Sequence, residues 1–247
     1  MKNILFGIAL ACAALLGGAC RADTVTVYTS ANFAPLVIDG GARGIYPDLI
    51  AHLNRKKLGD TTFRLVYLPR KRLQAQLENG TLDGIVIGMM PEWFNDGAQK
   101  KYLWTAPFAL DRFVLVSNAA KPVDPDIPAT LRGKIIGLTL GYVYPGIDEW
   151  IVRNGLIRTD APSEEKNLEK LLRERVDCSA VVESMARYFI HTKHLHGKFK
   201  LAPMPGHATE RRFLAPRAQQ AVFERLAPVI AKLREDPEWR RALTEYE

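Results

Sequence analysis

Up to residue 90 the chain switches repeatedly between two hydrophobic periods, and this switching constrains the fold more than any other feature. "TVTVYTS" (24–30) alternates in the manner of a strand and breaks into the loop "ANFAP". "YPDLIAHLNRKKLG" follows with Tyr46, Leu49, Ile50 and Leu53 on one helical face, Pro47 near its start and Gly59 as its stop. "TFRLVYL" returns to strand, "RLQAQLENG" is a short helix closed by Gly80, and "LDGIVIG" is a buried strand. Parallel strands need crossovers of this length, so a β-α-β-α-β opening predicts a mostly parallel sheet with helices on its faces. Ligands of such sheets bind at the carboxyl ends of the strands. That rule gathers three loops on one rim: "SANFAP", "PRKR" (69–72) and "GMMPEWFNDG" (88–97).

After the strand "DRFVLVSN" (111–118), the run "AAKPVDPDIPATLRGK" brings three prolines into a polar stretch, the composition of a crossing between domains. The α/β pattern then restarts. "KIIGLTLG", "CSAVVE" and "KFKLAP" read as strands, and "PGIDEWIVRNG", "SEEKNLEKLLRERV" (on Leu168, Leu171 and Leu172) and "SMARYFIHTKH" read as helices. At the end, "RRFLAP" reads as a strand. It is followed by a helix containing Pro228 and another that starts at Asp236 and Pro237. These last elements need a core, and the first lobe, with few helices of its own, is the expected host.

The composition, 47% apolar and 25% charged, excludes disorder as the general expectation. Residues 1–22 combine Lys2, the apolar "ILFGIALACAALL" and the small residues of "GGACRA", the pattern of a secretory signal peptide, with Asp23 as the expected first mature residue. Cleavage before Cys20 would permit a lipid anchor, but Gly17 stands where a lipoprotein box wants Leu, so free export to the periplasm is preferred. Losing Lys2 and Arg21 lowers the formal charge from +7 to +5. The cations are scattered and form no nucleic-acid motif, so "PRKR" and "ERR" (210–212) read mainly as solvated faces. Cys178 reads as a buried small hydrophobe.

In order and spacing, "GIYPDLIAHL", "LENGTLDGIVIGM", "WTAPF" followed by "FVLVS", "LRGKIIGLTLG" and "RVDCSAVVE" resemble the bacterial extracellular solute-binding proteins of family 3. The resemblance implies a two-lobed periplasmic binding protein-like II (Venus flytrap) α/β fold with two crossing segments, near Ser117 and near 209–212. Residues 23–116 with 212–247 would make lobe 1 and 117–211 lobe 2. It implies a monomer that captures a small polar or aromatic-bearing molecule between the lobes for a membrane ABC permease or sensor, with no cofactor, metal or catalytic residue. The alternatives are a dehydratase-like enzyme on the same scaffold, with Glu183 or Glu92 as its acid, and an orphan receptor.

Carried over residue by residue, the resemblance places Phe33 over the ligand and makes Asp48 a residue that orders a helix start. Family amino-acid binders hold a ligand carboxylate with an arginine in the loop after the third strand; this loop has none, only Lys100 and Lys101. It offers Trp93, Phe94, Trp104 and the Thr105 hydroxyl instead, with Trp93 facing the ligand and Trp104 the better core candidate. In lobe 2, Gly141 allows close backbone approach, Tyr142 and Tyr144 add phenols, and Glu183 is the candidate for a ligand ammonium. Arg70 and Arg72 are candidate anion contacts on the rim. His191, His194 and His196 read as a solvated cluster rather than a zinc site.

Overall fold

The computed structural model describes residues 23–142, 144, 146–204 and 208–246; the expected signal peptide lies outside them. The first half contains β1 (Asp23–Thr29), α1 (Ile45–Arg55), β2 (Thr61–Tyr67), α2 (Arg70–Glu78), β3 (Ile85–Met89), β4 (Leu103–Trp104), β5 (Ala109–Asp111) and β6 (Phe113–Asn118). The second contains β7 (Ile135–Thr139), α3 (Ile147–Arg153), β8 (Ile157–Ala161), α4 (Glu164–Leu172), β9 (Cys178–Val182), α5 (Glu183–Thr192), β10 (Phe199–Pro203), β11 (Thr209–Ala215), α6 (Gln220–Lys232) and α7 (Pro237–Leu243).

Two sheets result. The first has the order β2-β1-β3-β11-β4, and the second β10-β6-β9-β7-β8. In each, three strands run parallel with helical crossovers: β1 with β2 and β3, and β7 with β8 and β9. An antiparallel return strand completes each, β11 on β3 and β6 on β9. The central strands β3 and β9 are buried on both faces, which explains why "IVIGM" and "CSAVV" lack polar alternation.

The chain passes between the sheets twice, and the passages lie side by side. Thr209, Glu210 and Arg211 pair antiparallel with Asp111, Leu110 and Ala109, while the end of β11 continues into the first sheet against β3 and β4. Between β5 and β6 only Arg112 intervenes. The crossing therefore precedes the position expected near Ser117, which lies inside β6 in the second sheet. The proline-rich run does not cross at all. Its Val123 and Leu131 pack in the second core with Ile136, Leu138 and Trp150, and the Ser117 hydroxyl accepts the Val123 N–H at 3.1 Å. Proline punctuated a connection within the lobe.

The C-terminal helices pack on the first sheet's side. Leu226, Ile230 and Trp239 are buried in one cluster with Val27, Leu49 and Leu53. Asp236 caps α7 by accepting the N–H groups of Glu238 and Trp239 at 2.9 and 3.2 Å, and Lys56, just past the end of α1, pairs with its carboxylate at 2.7 Å. Tyr246 donates its hydroxyl to Asp48 and accepts the Gly44 N–H at 3.1 Å, so Asp48 fastens the chain end to the start of α1. Leu172, expected on the buried face of α4, is exposed, and the polar edge strand β8 was not anticipated. Among the described residues no helix is long and apolar enough to cross a membrane.

Candidate functional site

The rim expected from the strand ends is where the two lobes meet. The loop after β1, the start of α2 and the loop after β3 bring Phe33, Arg70 and Trp93 to one cavity, and Tyr142, Val182 and Glu164 close it from the second lobe. Its enclosed volume is about 30 Å³, and about 490 Å³ of atom-free space is reached only when the open solvent at its mouth is counted. Arg211, on the crossing strand, lines its interior. Local geometry fixes the floor. Gly88, inside β3, has φ +79°, and a Cβ there would stand 1.9 Å from the Tyr46 hydroxyl, so only glycine lets Tyr46 reach the cavity wall.

Two charged side chains in this cavity are almost fully buried yet incompletely bonded. Arg211 is 5% exposed. It donates from Nη1 to the Tyr46 hydroxyl at a long 3.4 Å, and its Nε has no partner. Glu164 is 1% exposed; its Oε2 accepts the Val182 N–H at 3.1 Å, and its Oε1 has no partner. A buried polar group without a partner costs about 1–3 kcal/mol and more when charged, so a folded chain retains such groups where something else completes them. Burial pushes the Glu164 carboxyl up to about 7, against the opposing pull of the Val182 N–H and Arg211. Burial pulls the Arg211 guanidinium down, but Tyr46, Asp111, Glu164 and Tyr142 together outweigh it and hold the charge firmly.

The loop after β3 is organised differently. Asp96 is also buried, but its carboxylate accepts four N–H groups: Lys100 at 2.7 Å, Lys101 at 2.9 Å, Tyr102 at 3.1 Å and the Trp104 indole at 2.8 Å. Burial alone would raise this acid, and the hydrogen bonds, led by that of Trp104, hold it below the usual carboxylate range. Around it Tyr102 packs edge to face with Phe94 and with Trp104, and these two rings lie tilted against each other. Phe94 and Trp104 are therefore core, and Trp93 is half-buried on the cavity wall. The Arg70 guanidinium lies 4.6 Å from the Phe94 ring centre and 5.4 Å from that of Trp93. Burial draws Arg70 down to about 10, partly offset by Tyr142.

The residues expected at the site thus divide. Phe33, Arg70, Trp93 and Tyr142 line the cavity. Thr105 does not: its hydroxyl accepts the Phe213 N–H at 3.0 Å and donates to the Ala106 carbonyl at 2.9 Å, which ties β11 to the loop. Gly141 sits outside it, where a Cβ would stand 3.7 Å from the Lys71 side chain across the lobes. Tyr144 is fully buried in the second core with its hydroxyl taking the Thr139 N–H at 2.9 Å. Glu183 faces outward, paired with Arg112 and Arg187, and the Arg112 bond holds its carboxyl low. Lys100 and Lys101 are exposed and serve through their backbone, while His191 and His196 stand exposed with ring centres 5.9 Å apart. Burial pushes the Cys178 thiol up to about 12. That suits an inert core residue.

Arg211, Glu164 and Tyr46 are the functional candidates that the sequence reading missed. For Arg211 a signal existed, because alternation in "TERRFLA" puts Arg211 on the same strand face as the buried Phe213 and Ala215. Glu164 had none. It is one of two acids in a helix's first turn, and only the approach of the β9 end distinguishes it from Glu165.

The two mixed α/β sheets, the double crossing and the cavity between them define the periplasmic binding protein-like II fold. No protein-family model matches the chain, and no curated protein sequence does. Solved structures do match. An ancestral arginine-binding protein bound to arginine superposes with a TM-score of 0.72 at 15% identity, over 92% of this chain and 99% of the other. An arginine third transport system periplasmic binding protein from Legionella pneumophila gives 0.68 at 19% identity over 91% and 100%. An ancestral amino-acid-binding protein described as a precursor of cyclohexadienyl dehydratase gives 0.70 at 13% over 90% and 94%.

Proposed function

We propose that this chain is a periplasmic solute-binding protein that closes its two lobes on a small molecule and presents it to a membrane importer. The observation that carries the reading is the buried, unfinished pair Arg211 and Glu164, which the protein leaves with free hydrogen-bonding positions inside an interlobe cavity. A ligand that completes them in a water-excluded space gains strong polar contacts, and its binding energy holds the lobes together. The pocket uses residues other than the loop arginine and strand-end acid of the family pattern. The periplasmic site rests on residues 1–22, which read as a signal peptide.

One observation favours a second reading, an enzyme of the dehydratase kind. A buried carboxyl raised to about 7 is suited to act as a general acid near neutral pH, and Glu164 is such a group. Incubation of the protein with its co-purified small molecule and with candidate ligands, followed by mass spectrometry and thermal melting, separates the two. An unchanged compound that raises Tm supports binding. Appearance of a product would instead make Glu164 catalytic.

A further inference from the structure

Charge in the cavity does not balance, and the imbalance specifies a ligand. Two guanidinium groups, Arg70 and Arg211, line it. Among the described residues neither forms an ion pair: Arg70 donates to the Met89 thioether at 2.8 Å, a weak acceptor, and Arg211 reaches only the Tyr46 hydroxyl. Against these two cations the cavity wall holds one acid, Glu164, which has an unpartnered oxygen of its own. Asp111 lies outside the wall and acts through space on Arg211 and Glu164, and the Tyr142 and Tyr144 phenols also face Glu164. Tyr142 lies within electrostatic reach of both arginines.

Building on the solute-binding reading, we infer that the cavity takes a small organic diacid, with one acid group on Arg211 and the other on Arg70, and with Glu164 contacting the carbon chain's polar substituent. A single acid group would complete Arg211 and leave Arg70 facing a closed cavity without an anion. Two supply a fork partner for each guanidinium, the geometry in which arginine outperforms lysine. The aromatic faces of Phe33, Trp93 and Tyr142 suit the short carbon chain between them. Glu164 then sorts diacids by substituent. As a neutral carboxyl it donates to an oxo, hydroxyl or carboxyl oxygen; ionised, it accepts an ammonium.

Calorimetric titration with glutarate, 2-oxoglutarate, glutamate, glutamine and arginine tests this. At least one of the three diacids is expected to bind in the micromolar range, with glutamine and arginine about 100-fold weaker or more, since a lost charged partner inside a site costs about that factor. Arg70→Gln, at the cavity wall, should lower diacid affinity by about 30-fold with Tm retained, and Arg211→Gln should do so at least as strongly, with circular dichroism reporting whether it folds. Diacids without an amine should bind more tightly at pH 6 than at pH 8, and glutamate the reverse; Glu164→Gln should abolish both trends. Glutamine or arginine binding as tightly as every diacid, an unchanged affinity in Arg70→Gln, or no binding of any diacid at millimolar concentration overturns the inference. The first of these leaves the solute-binding reading intact. Conversion of a bound diacid to product overturns that reading and retains the ligand class.

Discussion

Asp96, inside the loop after β3, and Glu164, in the wall of the interlobe cavity, are both buried carboxylates, and they are treated in opposite ways. Asp96 has four donors and an acid strength increased by them; Glu164 has one donor and an acid strength reduced by burial. A buried carboxylate that is fully bonded fixes a loop and has nothing left to offer. One that is half bonded weakens the unliganded fold and keeps a position open. The contrast fits a structural role for the first and, on the proposed solute-binding reading, a ligand-recognition role for the second.

The largest effect should come from removing the finished one. Asp96→Ala leaves four N–H groups without their acceptor and should lower stability by about 4 kcal/mol, within the range for breaking a buried charged network. Urea unfolding measures it, and a loss under about 1 kcal/mol would mean that water replaces the carboxylate easily.

Glu164→Gln should act in the opposite direction. Its carboxyl has an ordinary value of 4.5 and sits near 7 in the fold, so the folded state binds the proton more tightly than the unfolded one. The wild type therefore loses stability as pH rises from about 4.5 to about 7, by on the order of 3 kcal/mol. The glutamine variant should be more stable than wild type by about that much at pH 8 and equal to it near pH 4.5. Asp96, ordinarily at 3.8 and lower in the fold, contributes stability above that value that is lost on stronger acidification. Equal melting temperatures for the wild type and Glu164→Gln across pH 5 to 8 would erase the distinction between the two acids.

Smaller effects sharpen it further. Trp93→Ala should reduce ligand affinity by about tenfold while changing stability by about 1 kcal/mol or less, because the ring is half-buried on the cavity wall and its neighbour Phe94 holds the loop. A large stability loss at unchanged affinity would move Trp93 to the structural side. Glu183→Ala, at a half-buried acid paired with two exposed arginines away from the cavity, should change stability by about 0.5–1 kcal/mol and affinity not at all.

The fold was legible because hydrophobic period, helix stops and crossover length are local properties. The strands of "TVTVYTS", "LDGIVIG" and "CSAVVE" and the helix on Tyr46, Leu49 and Leu53 all stand where the pattern puts them. Proline misled about the crossing, since it marks any connection that cannot pair and does not say which sheet receives the next strand. The first lobe's share of the candidate cavity was also legible, because the strand-end rule brings Phe33, Arg70 and Trp93 to one rim without knowledge of packing. The second lobe's share was not. Whether Glu164 or Glu183 turns inward depends on how α4 meets the end of β9, and whether Arg211 is buried depends on the register of β11 against β5. Both are long-range facts that no short string contains.

The central claim is that a ligand completes the interlobe pair. A crystal structure of the protein with its co-purified or titrated small molecule tests it most directly. The expected result is ligand density between Phe33 and Trp93 with an acceptor atom on Arg211 Nε and a contact to Glu164 Oε1. Density lodged instead in the outer groove by Arg112 and Arg212, with Arg211 and Glu164 still unbonded, would contradict it.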